Sequence, residues 1–334
     1  MRRKLNRRQF LGAAVATAGV GSGAVIFTRS RPASVVPLSA SNEGNASFNV
    51  VHSQSPTSQV ALGKSGLKVS MVGLGTGSIG WRHRSNQTQL GQSRFTQLMR
   101  HAFDRGINFF DLADAYGSHP YFVEAMKGVP RDRYIIQTKS DSRDPQAARD
   151  DIDRFLRELR TDYIDSLIIH HVTIPDWTNQ YRGVMDVFAE AKRQGKIRAH
   201  GVTCHDFGAL QAAAASDWVQ INQVRWNPGR AHMDEEVETA KTLFKKMRTR
   251  GQGMIGMKVV GQGDLLSGGR KFSPAECFRF QVESGVVDAF VVGVEETSHV
   301  DELLHGTQIA LNEVGYRMAD SGLIANAQSP EQSS

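Results

Sequence analysis

Short apolar runs recur along this chain, each followed by a longer stretch with apolar residues at helical spacing, and this alternation limits the folds open to it. The runs are Met71–Leu74, Ile107–Phe110, Tyr134–Gln137, Ile164–Ile169, Ile197–Val202, Trp218–Ile221, Met254–Met257 and Asp288–Val292. Between them lie amphipathic segments such as Ser93–Asp104, Pro145–Arg160, Gly183–Arg193, Asp234–Arg250 and Ser273–Ser284. Short continuous apolar runs fit strands buried on both faces, and their alternation with helices builds a parallel sheet. Several helical segments stop at a glycine (Gly106, Gly195, Gly251, Gly285), the residue that most easily turns a helix end. Eight units over about 250 residues predict an α/β chain closed into a single (β/α)8 TIM barrel. An open doubly wound sheet is the competing arrangement. However, the first strand leads into GLGTGSIG (Gly73–Gly80), whose glycines do not run straight into a helix. Ahead of the barrel, Val60–Val69 predicts a hairpin turning around Gly63–Gly66.

The flanks read differently. The formal charge of +6 would fit a nucleic-acid binder, yet residues 1–40 hold Arg2, Arg3, Lys4, Arg7, Arg8, Arg29 and Arg31 and no acid. Without those seven, 33 basic side chains face 34 acidic ones. No basic cluster interleaved with aromatics follows, so no nucleic-acid partner is expected. A basic start, a Gly/Ala-rich apolar stretch to Phe27 and a small polar segment to Ala40 predict an export signal. The Arg7–Arg8 pair resembles the twin-arginine motif, although Asn6 replaces the usual Ser or Thr. That resemblance implies the twin-arginine export machinery as a partner, a periplasmic destination, and no stable membrane insertion once the signal is removed. An uncleaved signal acting as an anchor is the alternative. The expected organisation is a signal segment (1–40), a flexible Ser/Asn-rich linker (41–58), the barrel (59–312) and a partly disordered tail (313–334). Cys204 and Cys277 are too few and too far apart for a disulfide scaffold or a metal motif.

Four side chains with useful chemistry fall at or after predicted strand ends: Asp111, Tyr116, Lys139 and His170. In a parallel barrel, that end carries the active site. A carboxylate closing a buried strand needs compensation. An ammonium from Lys139, held by Asp111, would stabilise a phenolate and lower the pKa of Tyr116. His170 would orient a substrate oxygen. The set suits a carbonyl whose oxygen gains a proton while its carbon accepts hydride. Strand alternation lets only one of His170 and His171 face a given side, which weighs against a metal pair, and no metal is expected.

The chain resembles the aldo-keto reductases, NADPH-dependent (β/α)8 enzymes, over roughly Val60 to His305. The likeness rests on GKSGLKVSMVGLGT (Gly63–Thr76), GINFFDLADAYG (Gly106–Gly117), IQTK (Ile136–Lys139), YIDSLIIH (Tyr163–His170), GKIRAHGVT (Gly195–Thr203) and NQV (Asn222–Val224). It implies Asp111, Tyr116, Lys139 and His170 as the catalytic tetrad, NADP or NAD as cofactor, and a small carbonyl compound as substrate. Thr203 and Gln223 match nicotinamide-holding positions, whereas Cys204 stands where Asn is expected. Met257 falls where a stacking Tyr is usual, followed by Lys258. The Gly-rich turn at Gly261, Gly263 and Leu265 would approach the pyrophosphate. Gly293 and Glu295 fall in the segment that binds the adenosine 2′-phosphate. Glu295 replaces an Arg there, and a carboxylate repels phosphate but accepts hydrogen bonds from ribose hydroxyls, so NADH is expected over NADPH. His119, Trp177, Trp226 and the loop Gly77–Gly91 are candidates for the pocket border. Trp81–Arg84 reads better as a solvated loop. The altered cofactor contacts leave a second reading open: a barrel used for binding or regulation, with little or no turnover.

Overall fold

The computed structural model describes residues 54–267 and 271–320 of the 334-residue chain. The expected signal segment, most of the expected linker and residues 321–334 lie outside the described residues. A two-stranded antiparallel hairpin, β1 (Gln59–Ala61) and β2 (Lys68–Ser70), precedes eight parallel strands. These are β3 (Val72–Gly75), β4 (Phe109–Asp111), β5 (Ile135–Ser140), β6 (Ile164–Val172), β7 (Ile197–Cys204), β8 (Ile221–Arg225), β9 (Gly253–Met257) and β10 (Ala289–Gly293). They pair in sequence order, and β10 closes the barrel by pairing with both β9 and β3. The predicted barrel and its hairpin are both present.

The helices show how local sequence sets their ends. In α3 (Pro145–Leu159), Asp144 caps the backbone N–H groups of Gln146 and Ala147, and Pro145 occupies the first turn. Its buried residues, Ala148, Ile152, Phe155 and Leu159, recur every three or four positions and face the sheet. Before it come α1 (Gln92–Asp104) and α2 (His119–Ala125); after it come α4 (Trp177–Gln180), α5 (Arg182–Arg193), α6 (Phe207–Ala215) and α7 (Val237–Thr249). The last two are α8 (Pro274–Ser284), opened by a Ser273–Glu276 capping box, and α9 (Thr297–Asp320). Two of the expected glycine stops, Gly106 and Gly251, take φ of +94° and +86°, a conformation that L side chains rarely adopt.

Two apolar layers result. The larger lies between strands and helices. The smaller fills the N-terminal end of the barrel, where Leu62, Leu67 and Val69 of the hairpin region meet Phe109, Ile135, Ala199, Ile221, Ile255, Ala289 and Val291. Each fully buried aliphatic residue of this plug contributes about 1.5–3 kcal/mol. Side chains alternate along a strand, so Asp111, Gln137, Gln223 and Met257 share the interior with the plug residues two positions earlier, one level nearer the C-terminal mouth. An apolar floor therefore stands beneath a polar layer.

Several boundaries differ from expectation, each for a physical reason. The strand expected at Trp218–Ile221 is Ile221–Arg225, sharing one residue with the prediction. Its apolar signature is broken by Asn222, bonded to Gln252, and by Gln223, which serves the mouth. Lys139 and His170 lie within β5 and β6 rather than after them, because both strands run on into polar residues. Helix α6 (FGALQAAAA) has no polar stripe and carries no amphipathic period. Helix α9 runs past the expected barrel boundary at 312, packing on α8 and α1. At the other flank, Pro56 and Ser58 already accept hydrogen bonds from Val72 and Met71, so the end of the expected linker is docked on the barrel.

Candidate active site

The polar layer is organised around one buried carboxylate. Asp111 ends β4, is 4 % exposed, and receives Lys139 Nζ at 2.6 Å on Oδ1. Gln137 Nε2 donates to the same oxygen at 2.9 Å, and Gln223 Nε2 donates to Oδ2 at 3.0 Å. Ser166 Oγ in turn donates to Gln137 Oε1 at 2.9 Å. The fully buried Lys139 ammonium also donates to the Leu112 carbonyl at 2.7 Å. A buried ion pair is tolerated when further hydrogen bonds satisfy both partners, as they do here. Burial lowers the Lys139 pKa, and Asp111 opposes that shift.

Tyr116 and His170 stand beside this pair. The Lys139 ammonium lies 4.9 Å from the centroid of the Tyr116 ring. Tyr116 OH and His170 Nε2 are 3.5 Å apart, with the rings edge-on at 86°. Burial, followed by the charges of Asp111 and Asp141, raises the Tyr116 pKa well above its ordinary value. This corrects the expected lowering by Lys139: the ammonium hydrogen-bonds Asp111 and a carbonyl, and its charge is largely matched by that carboxylate. The phenol therefore keeps its proton through neutral pH.

A loop from β3 crosses the mouth and explains its glycines. A Cβ added at Gly77 would lie 2.3 Å from the Tyr116 ring, and one at Gly80 would lie 2.4 Å from it. No other residue allows the backbone so near the ring. The loop is tied across the barrel by Gln87, which accepts from Ser78 N at 2.9 Å and donates to the Val294 carbonyl at 3.1 Å. Asn86 Nδ2 donates to Glu295 Oε1 at 2.7 Å. Within the same loop, Trp81 is 63 % exposed.

The β7–β10 side presents the expected cofactor positions. Thr203 Oγ1 and Gln223 Oε1 are buried and have no hydrogen-bond partner among the described residues. An unpartnered buried hydroxyl and amide oxygen are costly, and a nicotinamide carboxamide offers the complementary acceptor and donor, so these residues fit that group. Met257 is half-buried on the barrel interior. Cys204, two residues past an interior position's neighbour, lies instead in the outer apolar layer at 1 % exposure. Lys258 takes φ +53°, and burial with the nearby Arg225 guanidinium holds its pKa at about 8. Gly261, Gly263 and Leu265 are buried in a tight, kinked turn whose backbone is left-handed at Gly261, Gln262 and Gly263. Gly293 is exposed at the end of β10, where its Cα faces Ser78.

Some candidate border residues lie elsewhere. Trp177 and Trp226 are fully buried in the outer core, donating to the Ala209 carbonyl and to Ser284 Oγ. His119 is buried between Thr138 Oγ1 and Glu158 Oε2, at 2.7 Å from each. Sequence reasoning missed Gln137 and Asp141. Asp141 Oδ1 sits 3.1 Å from His170 Nδ1. Both missed residues are two positions from Lys139, a period-2 relation that would have placed Gln137 inside the barrel.

A closed parallel barrel therefore carries a buried carboxylate–ammonium pair, a phenol and an imidazole together at its C-terminal mouth. The sequence profile of the Aldo/keto reductase family matches residues 71–316, and the chain belongs to that family of generally NAD(P)-dependent oxidoreductases. It is 32 % identical over 154 residues to L-galactose dehydrogenase of Arabidopsis thaliana, covering 43 % of this chain and 47 % of that protein. It is 27 % identical over 192 residues to the NADH-specific methylglyoxal reductase of Escherichia coli, covering 51 % of this chain and 59 % of that one. The chain spans about half the length of such curated relatives. Among solved structures, a putative aldo-keto reductase from Pseudomonas aeruginosa superposes with a TM-score of 0.64 at 22 % identity, covering 79 % of this chain and 100 % of that one. That likeness shows the shared fold.

Proposed function

We propose that the protein reduces an aldehyde or ketone with a nicotinamide dinucleotide, Tyr116 acting as the general acid. The observation that carries this reading is the Tyr116 phenol set 3.5 Å from His170, with the buried Lys139–Asp111 pair beside its ring. A bound reduced nicotinamide supplies a hydride to the carbonyl carbon. Tyr116 gives its proton to the carbonyl oxygen as negative charge develops there. His170 Nε2 holds that oxygen in line with the phenol. Asp111, fixed by two amides, keeps Lys139 charged and in place. Thr203 and Gln223 would hold the carboxamide, with Met257 covering a ring face through its polarizable sulfur. The names of the two curated relatives above, one dehydrogenase and one reductase, support small-molecule carbonyl chemistry.

Glu295 supports a preference for NADH, because its carboxylate would meet a 2′-phosphate with like charge. The N-terminal arginine pair supports export by the twin-arginine route. The test is fluorescence titration with NADH and NADPH, followed by a panel of small aldehydes. Aldehyde-dependent oxidation of NADH is the expected result. A protein that binds neither dinucleotide would overturn the reading.

A further inference from the structure

Beyond the catalytic residues, the rim from β5 to β9 gathers cations that the protein leaves unmatched. Arg143 follows β5; its guanidinium donates to the His170 and His171 carbonyls and lies 4.9 Å from the Tyr181 ring centroid. Lys258 follows β9, half-buried. Among the described residues neither forms an ion pair within 4 Å, and the Arg143 charge is felt only at longer range by Asp141, which His170 already engages. Between them stand His171, His205 and Arg225, at the ends of β6, β7 and β8. The His171 and His205 ring centroids are 4.3 Å apart. Three neighbouring carboxylates are already engaged. Asp141 pairs with His170, Asp234 is locked onto Arg225 (Nε–Oδ2 3.0 Å), and Asp206 caps α6 through Ala209 N at 2.9 Å.

The backbone is bent to build this rim. His171 has φ +54° and sits where the β6–β7 register shifts between Ile169 and Val172. Lys258 also lies in the left-handed region. A β-bulge at a barrel rim re-aims a side chain, and strained non-glycine residues gather where a ligand is held. Half-buried cations without counter-charges are unfavourable alone, and an incoming anion relieves them.

We infer that this rim is a subsite for an oxyanion on the substrate, so that the preferred carbonyl compound also carries a carboxylate or phosphate. The inference rests on the proposed reductase activity and narrows its substrate class. Arg143 and His171 flank His170, which places the anion beside the reacting carbonyl. Lys258 and Arg225 close the far side, and the neutral imidazoles supply N–H donors. The dinucleotide's own pyrophosphate is the other source of an oxyanion, and the test separates the two.

Kinetics with 4-carboxybenzaldehyde and 4-carbamoylbenzaldehyde, nearly equal in shape but not in charge, are to be measured at saturating NADH. The acid is expected to be preferred by about tenfold or more in kcat/KM, mostly through KM, as a charge-assisted contact gives. In Arg143→Gln and Lys258→Gln the ratio should fall toward one, and Arg143→Lys should restore part of it. Wild-type protein that favours the neutral aldehyde overturns the inference. So do variants in which NADH affinity falls while the ratio stays, since the cations would then hold the pyrophosphate. If neither aldehyde turns over, the reductase reading fails on its own. The subsite then stands or falls on calorimetry with 4-(hydroxymethyl)benzoate, which must bind wild type and weaken in Arg143→Gln.

Discussion

The two arcs of the barrel mouth are built on opposite principles. On the β4–β6 arc, Asp111 and Lys139 are each satisfied several times over within the protein. On the β7–β10 arc, among the described residues, Thr203 Oγ1 and Gln223 Oε1 have no hydrogen-bond partner and Lys258 forms no ion pair. Gln223 joins the two, its amide nitrogen serving Asp111 and its oxygen left open. A proton donor must be in place before substrate arrives, since reorganising it during the reaction would raise the barrier. Groups that hold a ligand are best completed by that ligand. The first arc is preorganised; the second is complementary to something from outside.

The sharpest way to break this contrast is Tyr116→Phe. If the first arc performs proton transfer, kcat for carbonyl reduction falls by about 10²- to 10⁴-fold. Dinucleotide affinity, read by fluorescence, stays close to wild type because the β7–β10 arc is untouched. A matching fall in affinity would mean that the arcs are not separable. Lys139→Met probes preorganisation directly. It strands Asp111 as a buried charge, and breaking such a pair costs about 3–5 kcal/mol. The two glutamine amides that remain on Asp111 place the loss at the low end of that range. Urea denaturation measures it, and Lys139→Met with Asp111→Asn should recover part of the stability, because the stranded charge is gone.

The same contrast governs what could be read from sequence. The first arc was legible because its members end apolar strands in GINFFDLADAYG and IQTK, where a charge among buried residues stands out. The barrel followed from alternation alone. What stayed hidden depended on contacts that strand patterns do not encode. Strand β8 lies later than its apolar run suggests, because Asn222 and Gln223 break that run to serve Gln252 and Asp111. Trp177 and Trp226 read as pocket aromatics but fill the outer core, a distinction only helix packing makes. The direction of the Tyr116 shift is not legible in the sequence because its largest cause is burial of the phenol, which a strand pattern does not weigh against the Lys139 charge.

A smaller effect tests buried imidazoles away from the tetrad. His200, 7 % exposed, stacks on Trp218 with centroids 4.4 Å apart, and burial, helped by Lys192, lowers its pKa to about 4. The folded state therefore stays neutral at this position down to about pH 4, while an unfolded histidine takes up its proton near pH 6.5. The unfolded state binds more protons in that window, so stability is full above it and falls as pH drops through it. One such group contributes a slope of up to about 1.4 kcal/mol per pH unit. His200→Phe keeps the ring stack and removes the titration. Urea midpoints between pH 7 and 4 should then fall less steeply than in wild type, and an unchanged slope would remove His200 from the acid response.

The smallest expected effect lies at the far end of the complementary arc. Glu295 is half-buried and accepts from Asn86, so its carboxylate is held in place by the loop that also covers Tyr116. A fixed carboxylate opposes a 2′-phosphate more than a mobile one, which would swing away into solvent. Glu295→Gln removes the charge and keeps the amide contact to Asn86. NADPH affinity should rise by up to about tenfold, the span of one well-screened charge contact near a surface, and NADH affinity should change little. Asn86→Ala separates fixation from charge. It frees the carboxylate without neutralising it, so NADPH should gain less than in Glu295→Gln. Equal gains in both variants would mean that position, rather than charge, sets the discrimination.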